Sequence, residues 1–203
     1  MSAGDYEIDK AKLDALIAKV SELGVVVEQN LVEPEGARFV GTFTGHLLTL
    51  YPKYDSNFAL YFTVAHLYGH MVQIVRDSER TKRANAILSV VLDPKIYKNK
   101  RAFTVSEVQM IYDHELEAAA IGRTVMADMG KVDAELDIQY ARIFLADFHY
   151  LIHVLETGEA GPDSFARFLR REPKPWNPIP PDPQPLVKVG HLKPETSTTV
   201  TVV

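Results

Sequence analysis

The chain is organised around one nearly continuous apolar stretch, Phe62-Thr-Val-Ala-His66-Leu-Tyr-Gly-His70-Met-Val-Gln73. Its two histidines are four residues apart, and residues at that spacing lie one turn apart on the same face of a helix. Two imidazoles placed in this way point toward the same volume, and imidazole nitrogen is a common zinc ligand. The stretch therefore predicts a buried helix that carries two ligands, His66 and His70, for one metal ion.

The composition is typical of a soluble globular chain with a substantial core. Of the 203 residues, 46% are hydrophobic and 24% are charged, and this length fits a single domain with an appendage. The formal net charge of -5 argues against direct binding of nucleic acid. No apolar run is long enough to span a membrane. The absence of cysteine excludes disulfides and thiolate metal sites, and it fits the cytoplasm, where we expect the protein to reside.

The hydrophobic periodicity predicts an α+β fold, with a small, mainly antiparallel sheet packed against a helical core. Short β-like runs, punctuated by Pro34-Glu-Gly36 and Thr44-Gly45, form the sheet. One helix start is marked especially well, because Thr104-Val-Ser-Glu107 has the sequence of a capping box. The predicted strands are 25–28, 37–43 and 46–51, and the predicted helices are 9–23, 58–75, 79–92, 104–129, 133–157 and 163–171.

The composition changes at residue 172. Eight of the 12 prolines lie beyond this point, and proline is excluded from helix interiors and central strands. We therefore divide the chain into a metal-binding domain over 1–171 and a Pro-rich tail over 172–203 that is extended or disordered. A disordered or surface-wrapped tail is the preferred interpretation, and docking on a partner or a second subunit is the alternative.

A protein zinc site needs at least a third ligand, and the phase of the capping-box helix indicates one. The apolar stripe of this helix runs through Ile111 and Ala118, and Glu115 stands within it. A carboxylate on a buried face is costly unless it is paired or bound to metal. Glu115 is therefore the predicted third ligand, and pairing with an Arg or Lys is the alternative. Glu117 lies about 200° away around the helix and should face away. A zinc content that survives loss of Glu115 would redirect the assignment to Glu117 or His114.

Two segments together resemble a known family. Phe62-Thr-Val-Ala-His66-x-x-Gly-His70 resembles the active-site helix of the ImmA/IrrE metallopeptidases, and Glu115-Leu-Glu117-Ala resembles their downstream Glu-x-Glu-Ala segment. The resemblance extends over about residues 9–129. It implies a zincin-like fold for the domain and one zinc ion held by His66, His70 and Glu115. It also implies a cytoplasmic partner or substrate such as a transcriptional repressor.

Leu67 departs from the family pattern, because it occupies the position of the catalytic Glu in H-E-x-x-H. That Glu takes a proton from zinc-bound water, and loss of a general base typically costs about 10²–10⁴-fold in rate. The leading hypothesis is a metal-binding protein with impaired or altered catalysis that serves as a regulatory or interaction module. The alternative is an active zinc metallopeptidase whose general base comes from another position. A third hypothesis is a structural protein without metal, in which the histidines are satisfied core groups.

Two further features lie on the helix predicted over 133–157. His149 and His153 repeat the spacing of the first histidine pair, but they fall on the polar side of this helix, so we expect them to be exposed. Asp147 instead lies within the apolar face, between Ile143 and Leu151. We expect Asp147 to be buried and hydrogen-bonded. An ion pair with an Arg or Lys is the preferred interpretation, and a hydrogen bond to the outer nitrogen of a ligating histidine is the alternative.

Overall fold

The computed structural model describes residues 10–30, 41–50, 57–92, 104–130, 134–141, 182 and 199–201. Within these ranges the protein has the predicted α+β fold, and helices predominate. The elements are α1 (Lys10–Glu22), β1 (Val26–Gln29), β2 (Gly41–Thr44), β3 (Leu47–Leu50), α2 (Asn57–Arg76), α3 (Ser78–Leu92), α4 (Val105–Asp128) and β4 (Thr199–Thr201), and residues 134–141 are also helical. The elements from α1 to α4 each match a helix or strand predicted from the sequence.

In the part of the chain that the structure describes, the sheet has four strands in the order β1-β3-β2-β4. β2 and β3 form an antiparallel hairpin whose two-residue turn begins with Gly45, and this glycine has the positive φ of 58° that such turns require. β4 is also antiparallel to β2, whereas β1 is parallel to β3. The sheet is therefore mixed, and two of its three strand pairings are antiparallel, which agrees with the predicted mainly antiparallel sheet. The sequence shows that residues 196–203 are β-prone but isolated, and it does not indicate that Thr199–Thr201 pairs with β2.

α2 is the central helix of the fold. Its residues from Val64 to Ile74 are all buried, and the helix packs against α1, α3, α4 and β2. This confirms the prediction that a helix with apolar residues on nearly all sides is buried in the core. Neither α2 nor any other helix in the described ranges combines the length and the apolarity needed to cross a membrane.

α2 and α4 touch through their backbones at two glycines. A Cβ atom at Gly69 would lie 2.1 Å from the carbonyl oxygen of Ala118, and a Cβ atom at Gly122 would lie 2.6 Å from that of Ala65. Only glycine leaves room for so close an approach. The two contacts run in opposite order along the helices, so α2 and α4 are antiparallel. This packing places the part of α2 that carries the histidine pair against the face of α4 that carries Glu115.

Local hydrogen bonds fix where the two helices after α2 begin. At α4, the Thr104 hydroxyl accepts from the backbone N–H of Glu107 at 3.2 Å, and the Glu107 carboxylate accepts from the backbone N–H of Thr104 at 2.9 Å. This confirms the predicted capping box. At α3, the Asp77 carboxylate accepts from the backbone N–H of Arg80 at 3.0 Å. Both arrangements satisfy N–H groups that the first turn of a helix otherwise leaves without partners.

Some predicted features lie on residues that the structure does not describe. They include the second histidine pair, Asp147, the helix over 163–171 and most of the Pro-rich tail. Two described parts of the tail contact the rest of the protein: Asp182 accepts a hydrogen bond from Arg76 of α2 at 2.7 Å, and β4 pairs with β2. The division of the chain at residue 172 stays a prediction.

Candidate metal centre

The structure brings the three predicted ligands together where α2 meets α4. His66 and His70 project from successive turns of α2, and Glu115 projects from α4. The Nε2 atoms of the two histidines are 3.1 Å apart. Oε2 of Glu115 lies 3.1 Å from Nε2 of His66 and 3.5 Å from Nε2 of His70. One ligand atom from each residue thus lies within 4.8 Å of the others, and the three side chains form one group that could hold a metal ion, which we call the metal cluster.

The dimensions of this metal cluster fit a zinc ion. Zinc binds imidazole nitrogen and carboxylate oxygen at about 2.0–2.2 Å, so tetrahedral geometry separates neighbouring ligand atoms by about 3.4 Å. The three separations in the structure, 3.1, 3.1 and 3.5 Å, are close to this value. Two imidazoles and one carboxylate are also a known zinc-binding set, in which a fourth position stays open to water or substrate. The residues present therefore fit the metal that the sequence predicts.

The charges within the metal cluster suit metal binding as well. Burial alone raises the pKa of Glu115, but the adjacent His70 and His66 outweigh burial and hold this pKa well below its usual value. Burial is the main cause of the lowered pKa of His66, and it outweighs the hydrogen bond to Glu115, which raises that pKa. At neutral pH Glu115 is thus ionised and His66 is neutral, and these are the forms in which the two side chains bind metal.

Leu67, which follows the first histidine at the position that H-E-x-x-H zinc peptidases give to their general base, lies in the apolar core. Its side chain is 0% exposed and belongs to the same hydrophobic cluster as Met71. An aliphatic side chain can neither take nor give a proton, so this position supplies no acid–base chemistry. Glu117, the second carboxylate of the Glu-x-Glu-Ala segment, does not replace it, because its carboxylate is held by Gln73 and Arg80, each at 3.0 Å.

The other two candidates for the third ligand do not join the metal cluster. Glu117 is not among the ligand atoms that lie within 4.8 Å of one another. His114 is buried, and its ring packs beside that of His70 with 4.9 Å between the ring centres. Burial, followed by the nearby His70, lowers the pKa of His114 to about 3, so this residue is neutral at pH 7. Its Nε2 has no hydrogen-bond partner among the residues that the structure describes.

Gln73 is part of the site although the sequence pattern alone does not single it out. Its Oε1 lies 2.9 Å from Nδ1 of His70, on the opposite side of the ring from the metal cluster. One signal was available in the sequence, because Gln73 is a polar residue of an apolar helix and lies three residues after His70, on the same face. A buried amide needs hydrogen-bond partners, but the partners come from another helix and cannot be read from the spacing.

Asp147, predicted to be buried in an ion pair or, as the alternative, in a hydrogen bond to a ligating histidine, lies outside the described residues. Its role stays a prediction.

We compared the chain with protein-family models, with curated proteins and with solved structures, and none of the three comparisons found a match. The geometry of the metal cluster and the two sequence motifs are therefore the basis for any functional conclusion.

Proposed function

We propose that the protein is a zinc-binding, zincin-fold relative of the ImmA/IrrE group that lacks the general base of its peptidases. One zinc ion binds to His66, His70 and Glu115. Catalysis is impaired or altered, and the protein acts in the cytoplasm as a regulatory or interaction module for a protein partner such as a transcriptional regulator. The observation that carries the proposal is the convergence of two imidazoles and one carboxylate from two helices, with ligand atoms 3.1–3.5 Å apart.

A hydrogen-bonded cluster without metal explains this convergence less well. The ionised Glu115 can only accept hydrogen bonds, and a neutral imidazole offers a single N–H. The three atoms that face one another therefore carry more lone pairs than protons. A cation placed among them would satisfy all three atoms at once, as in zinc sites built from histidine and glutamate.

The residues of the chain limit what such a site can do. Zinc, when bound, would polarise a carbonyl or activate a bound water. His66 and His70 would supply imidazole nitrogens, and Glu115 would supply one carboxylate oxygen. Leu67 cannot accept the proton that peptide hydrolysis requires, and the loss of this function costs about 10²–10⁴-fold in rate. Metal binding is thus retained in the proposal, whereas efficient proteolysis is not.

Zinc content tests the proposal. The purified full chain, reconstituted with zinc and freed of unbound metal, should contain about one zinc per chain by elemental analysis. His66→Ala and Glu115→Ala should each lose the metal, because a three-ligand site that lacks one ligand binds far more weakly. His46→Ala and Glu135→Ala are matched controls that should retain it, since both residues are exposed and lie outside the metal cluster. A wild-type protein that takes up no zinc would refute the proposal.

Proteolysis tests the catalytic part of the proposal separately. The zinc-loaded wild-type protein should cleave an unfolded substrate such as denatured casein no faster than Glu115→Ala does. Strong cleavage that depends on zinc and on Glu115 would instead favour an active metallopeptidase whose general base comes from another position.

A further inference from the structure

Gln73 connects the metal cluster to a second layer of polar groups. Its Oε1 lies 2.9 Å from Nδ1 of His70. Its Nε2 donates to the backbone carbonyl of His114 at 2.8 Å and to the Glu117 carboxylate at 3.0 Å. Nη1 of Arg80 lies 3.0 Å from the same Glu117 oxygen. The Gln73 side chain is buried, so its hydrogen bonds are made within the protein.

The partners of Gln73 determine which end of its amide faces His70. A backbone carbonyl and a carboxylate only accept hydrogen bonds, so the amide nitrogen must face the His114 carbonyl and Glu117. The amide oxygen then faces Nδ1 of His70. Because that oxygen also only accepts, Nδ1 must carry the proton. A neutral imidazole protonated at Nδ1 has a lone pair on Nε2, and Nε2 is the atom that faces the metal cluster.

His66 has the opposite arrangement in the metal-free protein. Its Nε2 lies 3.1 Å from Nε2 of His70 and 3.1 Å from Oε2 of Glu115. Both of these neighbours accept when His70 is protonated at Nδ1 and Glu115 is ionised, so Nε2 of His66 must be the donor. His70 is therefore ready to bind metal, whereas His66 must first move its proton.

We propose that Gln73 is a positioning residue that holds His70 in the tautomer and orientation needed for zinc binding, and that Glu117, which is paired with Arg80, holds Gln73. This inference rests on the proposed zinc site. An acceptor on the outer nitrogen of a ligating histidine orients the ring and increases its basicity, and loss of such a partner typically weakens metal binding about 10–100-fold. In this protein the buried amide of Gln73 provides the acceptor. The ion pair of Glu117 and Arg80 fixes this amide, and Gln73 separates the ion pair from His70.

Gln73→Met tests the inference, because methionine fills similar space but lacks the amide. Zinc affinity, measured by competition with a chromophoric chelator, should fall about 10–100-fold relative to the wild type. Gln109→Met is the matched control and should bind zinc as the wild type does, since Gln109 is exposed and donates to Asp113. A Gln73→Met protein with wild-type zinc affinity would overturn the inference.

NMR of the metal-free full chain reports the histidine tautomers, which a loss of stability alone would not change. Long-range proton–nitrogen spectra distinguish histidine protonated at Nδ1 from histidine protonated at Nε2. In the wild type, His70 should be protonated at Nδ1 and His66 at Nε2. Added zinc should change the tautomer of His66 and leave the tautomer of His70 as it was. In Gln73→Met, His70 should populate both tautomers. A wild-type His70 protonated at Nε2 would overturn the inference, even if Gln73→Met failed to fold.

Exchange of the two supporting side chains provides a rescue. In the double variant Gln73→Glu with Glu117→Gln, a carboxylate faces Nδ1 of His70 and an amide takes the outer position. This variant should recover the Nδ1 tautomer and most of the affinity lost in Gln73→Met. If Gln73 only stabilised the fold, the double variant should not recover zinc affinity, because the His114 carbonyl still lacks the hydrogen bond that Gln73 donates.

The two proposals fail in different ways. If the wild type binds no zinc, the proposed function fails, and the tautomer of His70 in the metal-free protein still decides the role of Gln73. If the wild type binds zinc but none of the Gln73 variants changes the affinity or the tautomer, only the inference about Gln73 is overturned.

Discussion

Replacement of Gly69 by alanine should force α2 and α4 apart beside the metal cluster. The new Cβ would lie 2.1 Å from the carbonyl oxygen of Ala118, and 2.7 and 2.8 Å from the carbonyl carbon and Cα of the same residue. All three are backbone atoms of a helix, so no side-chain rotation relieves the contact. An ordinary contact of about 3.4 Å would require the helices to separate by about 1.3 Å at this point.

This displacement should reduce both stability and metal binding. Overpacking lowers the free energy of unfolding by about 1–3 kcal/mol, and the higher helix propensity of alanine offsets about 0.5–1 kcal/mol of this loss. Because the contact involves backbone, we expect a net loss of about 2 kcal/mol, which is about 4–8 °C in Tm for a chain of this size. Gly69 directly precedes His70, and Ala118 lies about one turn after Glu115. Metal sites tolerate errors of only about 0.2 Å, so zinc affinity should fall at least about tenfold.

Two assays measure these effects separately: thermal unfolding of the metal-free protein and competition titration with zinc. The control is the double variant that adds Ala118→Gly. Removal of that side chain leaves the Ala118 carbonyl oxygen in place, so the double variant should recover no stability. A Gly69→Ala protein that is as stable as the wild type and binds zinc equally well would refute the close contact between α2 and α4.

Three other substitutions test other parts of the structure. Leu67→Glu should lower the free energy of unfolding by about 3 kcal/mol or more, since it buries an unpaired carboxylate; a variant as stable as the wild type would contradict the packing of Leu67. In the metal-free protein, His114 should make the free energy of unfolding fall by up to about 1.4 kcal/mol per pH unit as the pH drops from 6.5 toward 3, because the unfolded chain takes up a proton that the folded chain excludes. His114→Phe should flatten this slope, and an unchanged slope would contradict the burial of His114. Asp182→Asn should cost about 1–3 kcal/mol in urea unfolding, because it weakens the 2.7 Å contact with Arg76; wild-type stability would show that this contact does not hold the tail.

Local patterns are sufficient to predict the helices and the metal cluster. The capping box at Thr104 involves residues within one helical turn, so it can be read directly from the sequence. Helical phase also indicates the members of the metal cluster: His66 and His70 share a face, and Glu115 is a charged residue in an apolar stripe that requires a partner. The structure places these three residues together as that reasoning predicts.

Other contacts between remote segments could not be predicted in this way. Helical phase shows that Glu117 points away from Glu115, but it does not show that Arg80 of α3 and Gln73 of α2 meet it there. The same holds for the sheet, because alternation indicates which residues are β-prone but not that β1 lies parallel to β3 or that β4 joins β2. These features depend on how whole elements pack, and that information is not contained in a window of neighbouring residues.

The most direct test of the proposed zinc site is anomalous diffraction from crystals of the zinc-loaded full chain, measured at the zinc absorption edge. The structure predicts one strong peak at about 2.0–2.2 Å from Nε2 of His66, Nε2 of His70 and Oε2 of Glu115. No peak at this position, or a peak only elsewhere, for example between His149 and His153, would contradict the assignment of the metal centre.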